Sequence, residues 1–598
     1  MKLGVDTGGT FTDLVTDAGA VAKVCSTPDD PAAAVRDAIA AAVPAGARAE
    51  LLAHGTTVAT NALLQRRGGK VALVATRSTG DIIEIARQVR PSLYDPWADR
   101  PAPLVPRGLR FEVGGRLDAR GHEIEPPALD TLELFAPDVD AVAVCLLHAD
   151  LNAAHERAVA QALRAAGFDV TCSHDVSPEM REYERMVTTV ANAMLRPVCR
   201  SYVRNLVALA DEVLVMTSAG GLMPAVQAAE LPASLLLSGP AGGVRAAAEL
   251  ANACGLPDAV SFDMGGTSTD VCLVQGGMPA PAPSRTVAGF PIRLPALDIH
   301  TIGAGGGSIA RLDAGGALLV GPESAGATPG PACYGRGGEA PTVTDADFVL
   351  GRIPREAAFS DLGSLNAPAA RSALEQAGVS ADGVIAVVDA AMQRAVRSVT
   401  VERGVDPREL ALVAFGGAGP LHACAVADAL AMRAVIVPPR AGVFSAVGLL
   451  CSPRQRELVR SWSTPGETDG LADALSALGQ EAIALVGGDA AGAETFVDCR
   501  YAGQSHELTV ATVDAFHDEH ARRNGYARAD APIEVIALRA RARRDAPLDI
   551  EALPEVVRRR VVGPQVVAEA DCTVWVPDGW TAEPGPLGAW ILGRSVGR

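Results

Sequence analysis

One glycine-rich motif occurs twice in this chain, at two positions that lie far apart. Residues 6–13 read Asp-Thr-Gly-Gly-Thr-Phe-Thr-Asp and residues 263–270 read Asp-Met-Gly-Gly-Thr-Ser-Thr-Asp, so six of the eight positions are identical. Apolar residues flank both copies, and each copy predicts a β-hairpin whose tight turn contains the two glycines. A single Gly-Gly turn is most simply a hairpin loop, but packing alone gives no reason to repeat the Thr-x-Thr-Asp that follows. The repeat therefore predicts a duplicated domain with two facing hairpins.

The chemistry of these two turns points to phosphate. Paired glycines allow neighbouring backbone N–H groups to point at one centre, and such a nest binds anions. The aspartate at the start of each turn does not bind phosphate itself, but it suits a Mg²⁺ ion or an attacking water beside phosphate. The sequence lacks Gly-Lys-Ser and Gly-Lys-Thr, so the site is not a P-loop. We therefore predict a nucleotide site between two related lobes.

Composition excludes several classes of partner. The net charge is −18 and the sequence has no basic block, which argues against nucleic acid and anionic membranes. No apolar run reaches membrane-spanning length, and the N-terminus runs directly into a predicted strand, without a signal peptide. The eleven cysteines are scattered without a Cys-x-x-Cys pair. We expect free thiols in a reducing cytoplasm.

Hydrophobic patterning predicts an α/β fold. Continuous apolar segments such as 71–75 and 141–147 alternate with helical patterns such as 153–166, as in parallel sheets. We predict three domains, two of them duplicated lobes and the third a smaller C-terminal α+β domain. Their predicted bounds are residues 1–185, 186–463 and 464–598.

Three further segments carry polar or glycine-rich chemistry. His54-Gly-Thr-Thr57 precedes a predicted helix that carries Asn61, which suits an anion or a substrate carbonyl, although ordinary threonine capping explains it equally well. The glycines of segment 303–307 cost backbone entropy, so some group must approach the backbone closely there. Segment 416–419 follows a strand and begins a helix, but its spacing is not Gly-x-Gly-x-x-Gly, so we predict adenosine contact rather than dinucleotide binding.

Together these motifs resemble one protein family. The most specific segments are Gly4-Val-Asp-Thr-Gly-Gly-Thr-Phe-Thr-Asp13, His54-Gly-Thr-Thr57, Ser238-Gly-Pro-Ala-Gly242, Phe262-Asp-Met-Gly-Gly-Thr-Ser-Thr-Asp270, Gly303-Ala-Gly-Gly-Gly-Ser308 and Phe415-Gly-Gly-Ala-Gly-Pro-Leu-His422. Through these segments the chain resembles the A-type subunit of the hydantoinase/oxoprolinase family. The resemblance covers nearly the whole chain and implies a fold similar to the nucleotide clamp of actin, hexokinase and Hsp70.

The resemblance also implies specific site residues. ATP and Mg²⁺ are the implied cofactors, with Asp6 and Asp263 as the metal ligands. The implied catalytic residues are Asp6, Asp13, Asp263 and Asp270. The implied nucleotide contacts are Gly8, Gly9, Thr10, Thr12, Gly265, Gly266, Thr267, Gly303, Gly305, Gly306, Gly307, Gly416, Gly417 and Gly419. The implied substrate contacts are His54, Thr56, Thr57 and Asn61.

The leading hypothesis is an ATP-dependent hydrolase subunit for cyclic amides, such as hydantoins, 5-oxoproline or lactams. It would phosphorylate the ring carbonyl, and a separate B-type subunit would complete ring opening. One alternative is the ATP-using subunit of an acetone- or acetophenone-type carboxylase. Another is a non-catalytic ATP-binding sensor or chaperone-like clamp, although no peptide-binding β-domain with a helical lid is evident in the sequence.

Overall fold

A computed structural model describes residues 1–27, 30–44, 46–130, 138–354, 364–488 and 492–595. The fold is mixed α/β, as predicted, and two large sheets dominate it. All eleven cysteines are free thiols, as expected. None of the described helices is both long and apolar enough to cross a lipid bilayer.

The first large sheet has ten strands. In spatial order they are Leu508–Val510, Ala493–Tyr501, Ile533–Arg544, Arg454–Ser461, Leu222–Pro224, Ala210–Met216, Ala49–Thr56, Lys2–Thr7, Phe11–Thr16 and Val21–Cys25. The second large sheet has nine strands. Eight follow in the order Met278–Pro279, Thr269–Gln275, Ala259–Met264, Ala411–Phe415, Ala434–Val437, Trp590–Arg594, Trp580–Pro584 and Val561–Val562, and Ile299–Ile302 pairs with Thr269–Gln275.

Five neighbouring strands in each sheet share one arrangement. In both, three strands form an antiparallel meander, and two further strands continue from its inner edge in parallel. Lys2–Thr7 and Ala259–Met264 are the equivalent inner strands. Both predicted hairpins are present, since these strands pair with Phe11–Thr16 and Thr269–Gln275.

The remaining elements cover the two sheets. A four-stranded parallel sheet contains Val170–Cys172, Ala141–Cys145, Val71–Thr76 and Arg110–Val113. Two-stranded sheets pair Arg116–Leu117 with Glu123–Glu125, Pro281–Ala282 with Ala296–Leu297, Arg285–Val287 with Phe290–Ile292, Ser308–Leu312 with Leu318–Ser324, and Gln565–Ala568 with Thr573–Val576. The α-helices are Pro31–Ala42, Val58–Leu64, Ile82–Ile85, Ala154–Ala165, Ser173–Val176, Glu182–Leu206, Ala225–Glu230, Gly239–Ala253, Val343–Val349, Ala367–Gln376, Ala381–Val399, Gly419–Ala429, Phe444–Leu450, Leu471–Val486 and Phe516–Asn524.

The predicted domain bounds differ from the observed connectivity. Helix Glu182–Leu206 runs across the predicted boundary at residue 185, and the strand Ala210–Met216 that follows it belongs to the first sheet. Strands from 464–598 extend both large sheets, although residues around helix Leu471–Val486 also have a small core of their own. Sequence patterns predict strands but do not say which exposed sheet edge each strand joins.

Two helices cross closely between the sheets. Helix Gly239–Ala253 packs on helix Phe444–Leu450, and a Cβ atom at Gly448 would lie only 1.9 Å from the Gly242 carbonyl oxygen. Helix Phe444–Leu450 also lies against the first strand, where a Cβ atom at Gly4 would lie 2.2 Å from the Ala446 carbonyl oxygen. The absence of these side chains brings the crossing helices close to the ends of both hairpins.

A buried histidine ties three helices of the second half together. His422 is fully buried, and its Nδ1 lies 2.7 Å from Asp389 Oδ1 while its Nε2 lies 3.2 Å from Asp347 Oδ2. Burial alone would lower the pKa of His422, but the two carboxylates outweigh it and raise the pKa to about 10. The imidazolium is therefore a structural cation at neutral pH.

We expect His422→Gln to destabilise the protein by about 3–5 kcal/mol, because it leaves two buried carboxylates without their cation. The folded protein holds this proton above the unfolded pKa of roughly 6.5, so the stabilisation is full below that pH and is lost as pH rises through about 10. Melting temperature between pH 6 and 10 checks this. His122→Gln removes an exposed His–Asp pair and serves as the control. Equal pH profiles for His422→Gln and the wild type would contradict the prediction.

Candidate functional site

The two glycine turns meet across the space between the sheets. The Thr10 and Thr267 hydroxyl oxygens are 3.1 Å apart, and these residues occupy the same position in the two copies of the motif. Within the hairpins, Asp6 lies opposite Asp13 and Asp263 lies opposite Asp270, so the register is also the same. The structure thus brings all four predicted carboxylates to one place, as the facing-hairpin interpretation requires.

Asp6 and Asp263 are difficult to ionise in this environment. Burial, together with the charges of Asp13 and Asp263, raises the pKa of Asp6 to about 8. Burial, followed by the charge of Asp270, raises the pKa of Asp263 to about 7. Asp6 Oδ1 is buried and has no hydrogen-bond partner among the described residues. A cation between these groups would relieve both the repulsion and the desolvation.

Burial also raises the pKa values of Asp13 and Asp270, and a protein group contacts each of these carboxylates. Lys23 forms a salt bridge with Asp13, and Lys23 Nζ also donates to the Gly442 carbonyl oxygen at 3.2 Å. Burial raises the pKa of Asp270 to about 6, against the opposing hydrogen bond from Thr301 Oγ1. Asp13 and Asp270 are therefore placed to support the first pair.

One glycine lies beside the Asp6 carboxylate and another beside the Asp263 carboxylate, and the missing Cβ atoms leave room for these side chains. A Cβ atom at Gly55 would lie 2.5 Å from Asp6 Oδ1, and a Cβ atom at Gly416 would lie 2.5 Å from Asp263 Oδ1. Gly416 also has a φ of +79°, which favours glycine. Gly55 had no predicted role; it lies within strand Ala49–Thr56, whereas Gly416 follows strand Ala411–Phe415.

The hairpin glycines have separate roles. The N–H groups of Gly8 and Gly265 close the two turns by donating to the Phe11 and Ser268 carbonyl oxygens, at 3.0 and 3.1 Å. Gly9 has open space where a Cβ atom would stand, so the tip of the first turn is accessible. Thr12 is fully buried, and its hydroxyl lies 3.0 Å from Ser26 Oγ, so it supports the hairpin from inside.

The 303–307 glycines pack against the second turn. Gly306 N and Gly307 N donate to the Gly265 and Gly266 carbonyl oxygens at 3.0 and 2.6 Å. A Cβ atom at Gly305 would lie 2.7 Å from the Gly265 oxygen. A close backbone approach was predicted here, and the approaching group is the hairpin. The predicted nucleotide contact of this loop would have to use groups other than these two N–H donors.

The 416–419 turn borders the same hairpin. Ala418 N donates to the Met264 carbonyl oxygen at 2.9 Å, and a Cβ atom at Gly419 would lie 3.4 Å from the Phe262 oxygen. Gly417 has open space at its Cβ position. This turn therefore lies beside Asp263, with Gly417 as its accessible point.

His54 does not occupy the predicted substrate position. It is fully buried, with Nδ1 2.9 Å from the Val5 carbonyl oxygen and Nε2 2.7 Å from the Tyr202 hydroxyl. Burial lowers its pKa to about 4 against that backbone hydrogen bond. Both ring nitrogens are occupied, so His54 fixes strand Ala49–Thr56 from within. The prediction of a substrate contact is corrected here.

The other predicted substrate residues lie nearer the hairpin ends. Thr56 is buried and its hydroxyl accepts from Val58 N at 3.2 Å, a capping contact. Thr57 precedes helix Val58–Leu64, and its hydroxyl donates to the Thr7 carbonyl oxygen at 3.4 Å. The exposed Asn61 donates to that hydroxyl at 3.3 Å. Thr57 and Asn61 are thus adjacent and accessible, beside the first hairpin.

Two serines were not predicted as site residues. Ser445 Oγ donates to Asp263 Oδ2 at 3.1 Å, from the crossing helix Phe444–Leu450. Ser238 is fully buried at the start of helix Gly239–Ala253, and its hydroxyl has no hydrogen-bond partner among the described residues. A Cβ atom at Gly239 would lie 3.7 Å from the Thr57 methyl group, so Ser238 is close to the Thr57 side of the site.

Comparison with known proteins gives consistent family matches. The hydantoinase/oxoprolinase N-terminal region model matches residues 2–167, and the hydantoinase/oxoprolinase model matches residues 185–457. The chain is 35% identical to caprolactamase subunit alpha of Pseudomonas jessenii, over 90% of this chain and 86% of that protein. It is 32% identical to the acetophenone carboxylase gamma subunit of Aromatoleum aromaticum, over 75% of this chain and 67% of that one.

A solved structure matches over the full length. The crystal structure of ATP-dependent caprolactamase from Pseudomonas jessenii superposes with a TM-score of 0.87 at 30% sequence identity, covering 100% of both chains. The two family models, the identity to caprolactamase subunit alpha and this superposition all point to the same family. The chain belongs to the hydantoinase/oxoprolinase family.

Proposed function

We propose that this chain is the ATP-using subunit of an enzyme that phosphorylates the carbonyl oxygen of a cyclic amide before the ring is opened. The observation that carries this proposal is the meeting of the two hairpins at Thr10 and Thr267, with Asp6 and Asp263 in matching positions behind them. The similarity to an ATP-dependent caprolactamase supports the choice of reaction.

The residues present fit a nucleotide with a divalent cation. Asp6 has a buried oxygen without a hydrogen-bond partner among the described residues, and burial raises the pKa values of Asp6 and Asp263. Asp6 and Asp263 would hold Mg²⁺, with phosphate and water as its remaining ligands. The ion would supply charge neutralisation on the phosphoryl group. The open tips at Gly9 and Gly417 would face the phosphates and the nucleoside.

Phosphorylation overcomes the low reactivity of the amide carbonyl toward water. Resonance stabilises an amide, with a rotational barrier of about 18–20 kcal/mol, and makes an unstrained ring a poor electrophile. The ring carbonyl oxygen bonds to the γ-phosphorus of ATP while the bond to the β,γ-bridging oxygen breaks, releasing ADP. Water can then add at the activated carbon, and the C–N bond of this adduct breaks as the nitrogen takes up a proton, which leaves an acyl phosphate. A second water hydrolyses the acyl phosphate to the carboxylate and free phosphate. The chain's share is to hold the reacting groups in line, because positioning and electrostatics dominate phosphoryl transfer.

We propose that a second subunit completes ring opening. Caprolactamase subunit alpha and acetophenone carboxylase gamma subunit, which match this chain, are each named as one subunit of an enzyme. The second similarity also keeps a carboxylase as the competing function. In that case a ketone with bicarbonate, and not a cyclic amide, would stimulate ATP turnover.

Asp6→Asn and Asp263→Asn should each lower substrate-dependent ATP turnover at least about 100-fold, because both remove a charge from the phosphoryl site. ADP release is measured with caprolactam, 5-oxoproline and hydantoin, and separately with acetone or acetophenone plus bicarbonate, with the second subunit present. Asp258→Asn is the control, since Asp258 is exposed at the far end of the second hairpin. Retained turnover in either site variant would refute the assignment. Turnover only with ketone and bicarbonate would refute ring phosphorylation.

The same variants should stabilise the protein without nucleotide. The pKa of Asp6 is raised from 3.8 to about 8, so the folded state binds more protons than the unfolded state between these values and loses stability as pH rises. An asparagine removes that loss. We expect a melting temperature higher by roughly 2 °C or more at pH 8, with a smaller difference near pH 5. Asp258→Asn should show no such gain. If both site variants melt at a lower temperature than the wild type at pH 8, these aspartates do not destabilise the protein in the absence of nucleotide, and the prediction is wrong.

A further inference from the structure

A large cavity lies between the first half of the chain and the C-terminal segment. Its volume is about 730 Å³, and its walls include segments 149–153 and 174–179, strand Arg454–Ser461 and one side of helix Leu471–Val486. Pockets of roughly 300–1,000 Å³ hold small organic molecules. Among the described residues that line the cavity, none belongs to the candidate nucleotide, metal or substrate residues. The cavity is therefore separate from the candidate site.

Part of the cavity wall is apolar. Leu458, Leu478 and Leu538 line it together with Trp462. Trp462 Nε1 donates to the Glu467 carbonyl oxygen at 2.9 Å, which fixes the indole ring in the wall. Apolar surface of this kind binds the apolar part of a ligand through the hydrophobic effect.

The carboxylates in the wall all contact basic side chains. The pairs are Asp150 with Arg185, Asp175 with His174, Glu179 with Arg293, Glu457 with Arg541, and Glu481 with Arg460. His174 also contacts the buried Glu156, but the side chain of Asp175 is 62% exposed, so solvent screens its charge. The negative charges of the wall are thus already compensated.

Two arginines of the same wall have no such partner. Arg456 and Arg157 line the cavity, and neither forms an ion pair with any described residue. Arg456 Nη1 donates to the Met223 sulfur at 3.3 Å, and a thioether is a weak acceptor. Burial lowers the pKa of Arg456, with no carboxylate opposing that change. Arg245 and Arg285 also lack an ion pair among the described residues, but neither lines this cavity.

The cavity also reaches the strand that leads to the candidate site. Thr217 lines the cavity and directly follows strand Ala210–Met216, which runs parallel to strand Ala49–Thr56. In that pairing Val215 lies opposite His54, two residues before Thr56. A ligand in the cavity would therefore lie between helix Leu471–Val486 and the end of a strand that borders the candidate site.

We propose that this cavity is a second binding site, and that its ligand is an organic anion with an apolar body. The Arg456 guanidinium donates to the anionic group, because its planar fork matches the oxygens of a carboxylate or a phosphate. The exposed Arg157 adds attraction at the edge of the cavity. The apolar body packs on the leucines and on Trp462. Arg456 then gains the anionic partner that it lacks in the protein alone.

Matched probe pairs test the charge requirement in the full chain. Octanoate and octanamide differ in charge, as do phenyl phosphate and phenol, and the two anions separate a carboxylate from a phosphate preference. Binding is followed by tryptophan fluorescence, since Trp462 is one of five tryptophans and lines the cavity. We expect the anion of at least one pair to bind at least about 10-fold more tightly than its neutral partner. No preference in either pair would overturn the proposal.

Variants assign the preference to the cavity. Arg456→Met should weaken binding of the preferred anion about 10-fold or more and leave the neutral probe unchanged, and Arg456→Lys should keep part of the preference. Arg454→Met is the matched control, because Arg454 lies on the same strand, pairs with Glu212 and does not line the cavity. Equal losses in Arg456→Met and Arg454→Met would overturn the proposal. If Arg456→Met does not fold, Arg456→Gln replaces it.

Two measurements locate the bound probe. Trp462→Phe should remove the fluorescence change, and saturating ATP with Mg²⁺ should leave the dissociation constant of the anion unchanged. A change that persists in Trp462→Phe, or displacement of the anion by ATP, would place the probe elsewhere and overturn the proposal. Since none of these measurements uses turnover, their outcome is independent of the proposed reaction.

Thermal stability separates ligand binding from a structural role of Arg456. Without ligand, Arg456→Met should melt at the same temperature as the wild type or higher, because it removes a partly buried cation that has no anion. The preferred anion should raise the melting temperature of the wild type but not that of Arg456→Met. A lower melting temperature of ligand-free Arg456→Met, together with unchanged anion binding, would assign Arg456 to structure alone and overturn the proposal.

Discussion

The site depends on holding two carboxylates close together at the ends of two hairpins. Asp6 and Asp263 are each partly buried, and the charge of Asp263 adds to the cost of ionising Asp6. The surrounding fold supplies the restraint. Glycines at 55 and 416 leave room for the two side chains, and the glycine contacts at 4, 242 and 448 bring the crossing helices close behind them. Carboxylates held close together at such an electrostatic cost are typical of sites where a bound ligand supplies the opposite charge.

The duplication is not symmetric in its charges. Asp13 has Lys23 as its partner, whereas the equivalent Asp270 has only the hydroxyl of Thr301 among the partners described for it. Asp263 accepts a hydrogen bond from Ser445, whereas Asp6 has a buried oxygen without one. Two halves with one strand arrangement therefore present different environments to whatever lies between them.

The sequence predicted those features of the fold that depend on a few neighbouring residues. The two hairpins and their glycine turns followed from the repeated motif, because turn geometry and strand alternation are encoded within a few residues. The role of His54 could not be predicted in this way, since its burial depends on Tyr202, a residue 148 positions away. The 303–307 glycines predicted a close approach but not its partner, and no signal in 464–598 identified the sheet edges that its strands join.

The two serines that were not predicted as site residues owe their significance to the packed structure. Serine is common, and its residue type alone does not distinguish Ser238 from a helix cap. Only the packed structure shows that Ser445 donates to Asp263 and that the Ser238 hydroxyl is buried without a hydrogen-bond partner among the described residues. Folded proteins satisfy most buried polar groups, so the exceptions are informative. Ser238 lies close to Thr57, so its unused hydroxyl adds one more polar group to the side of the site where Thr57 and Asn61 lie.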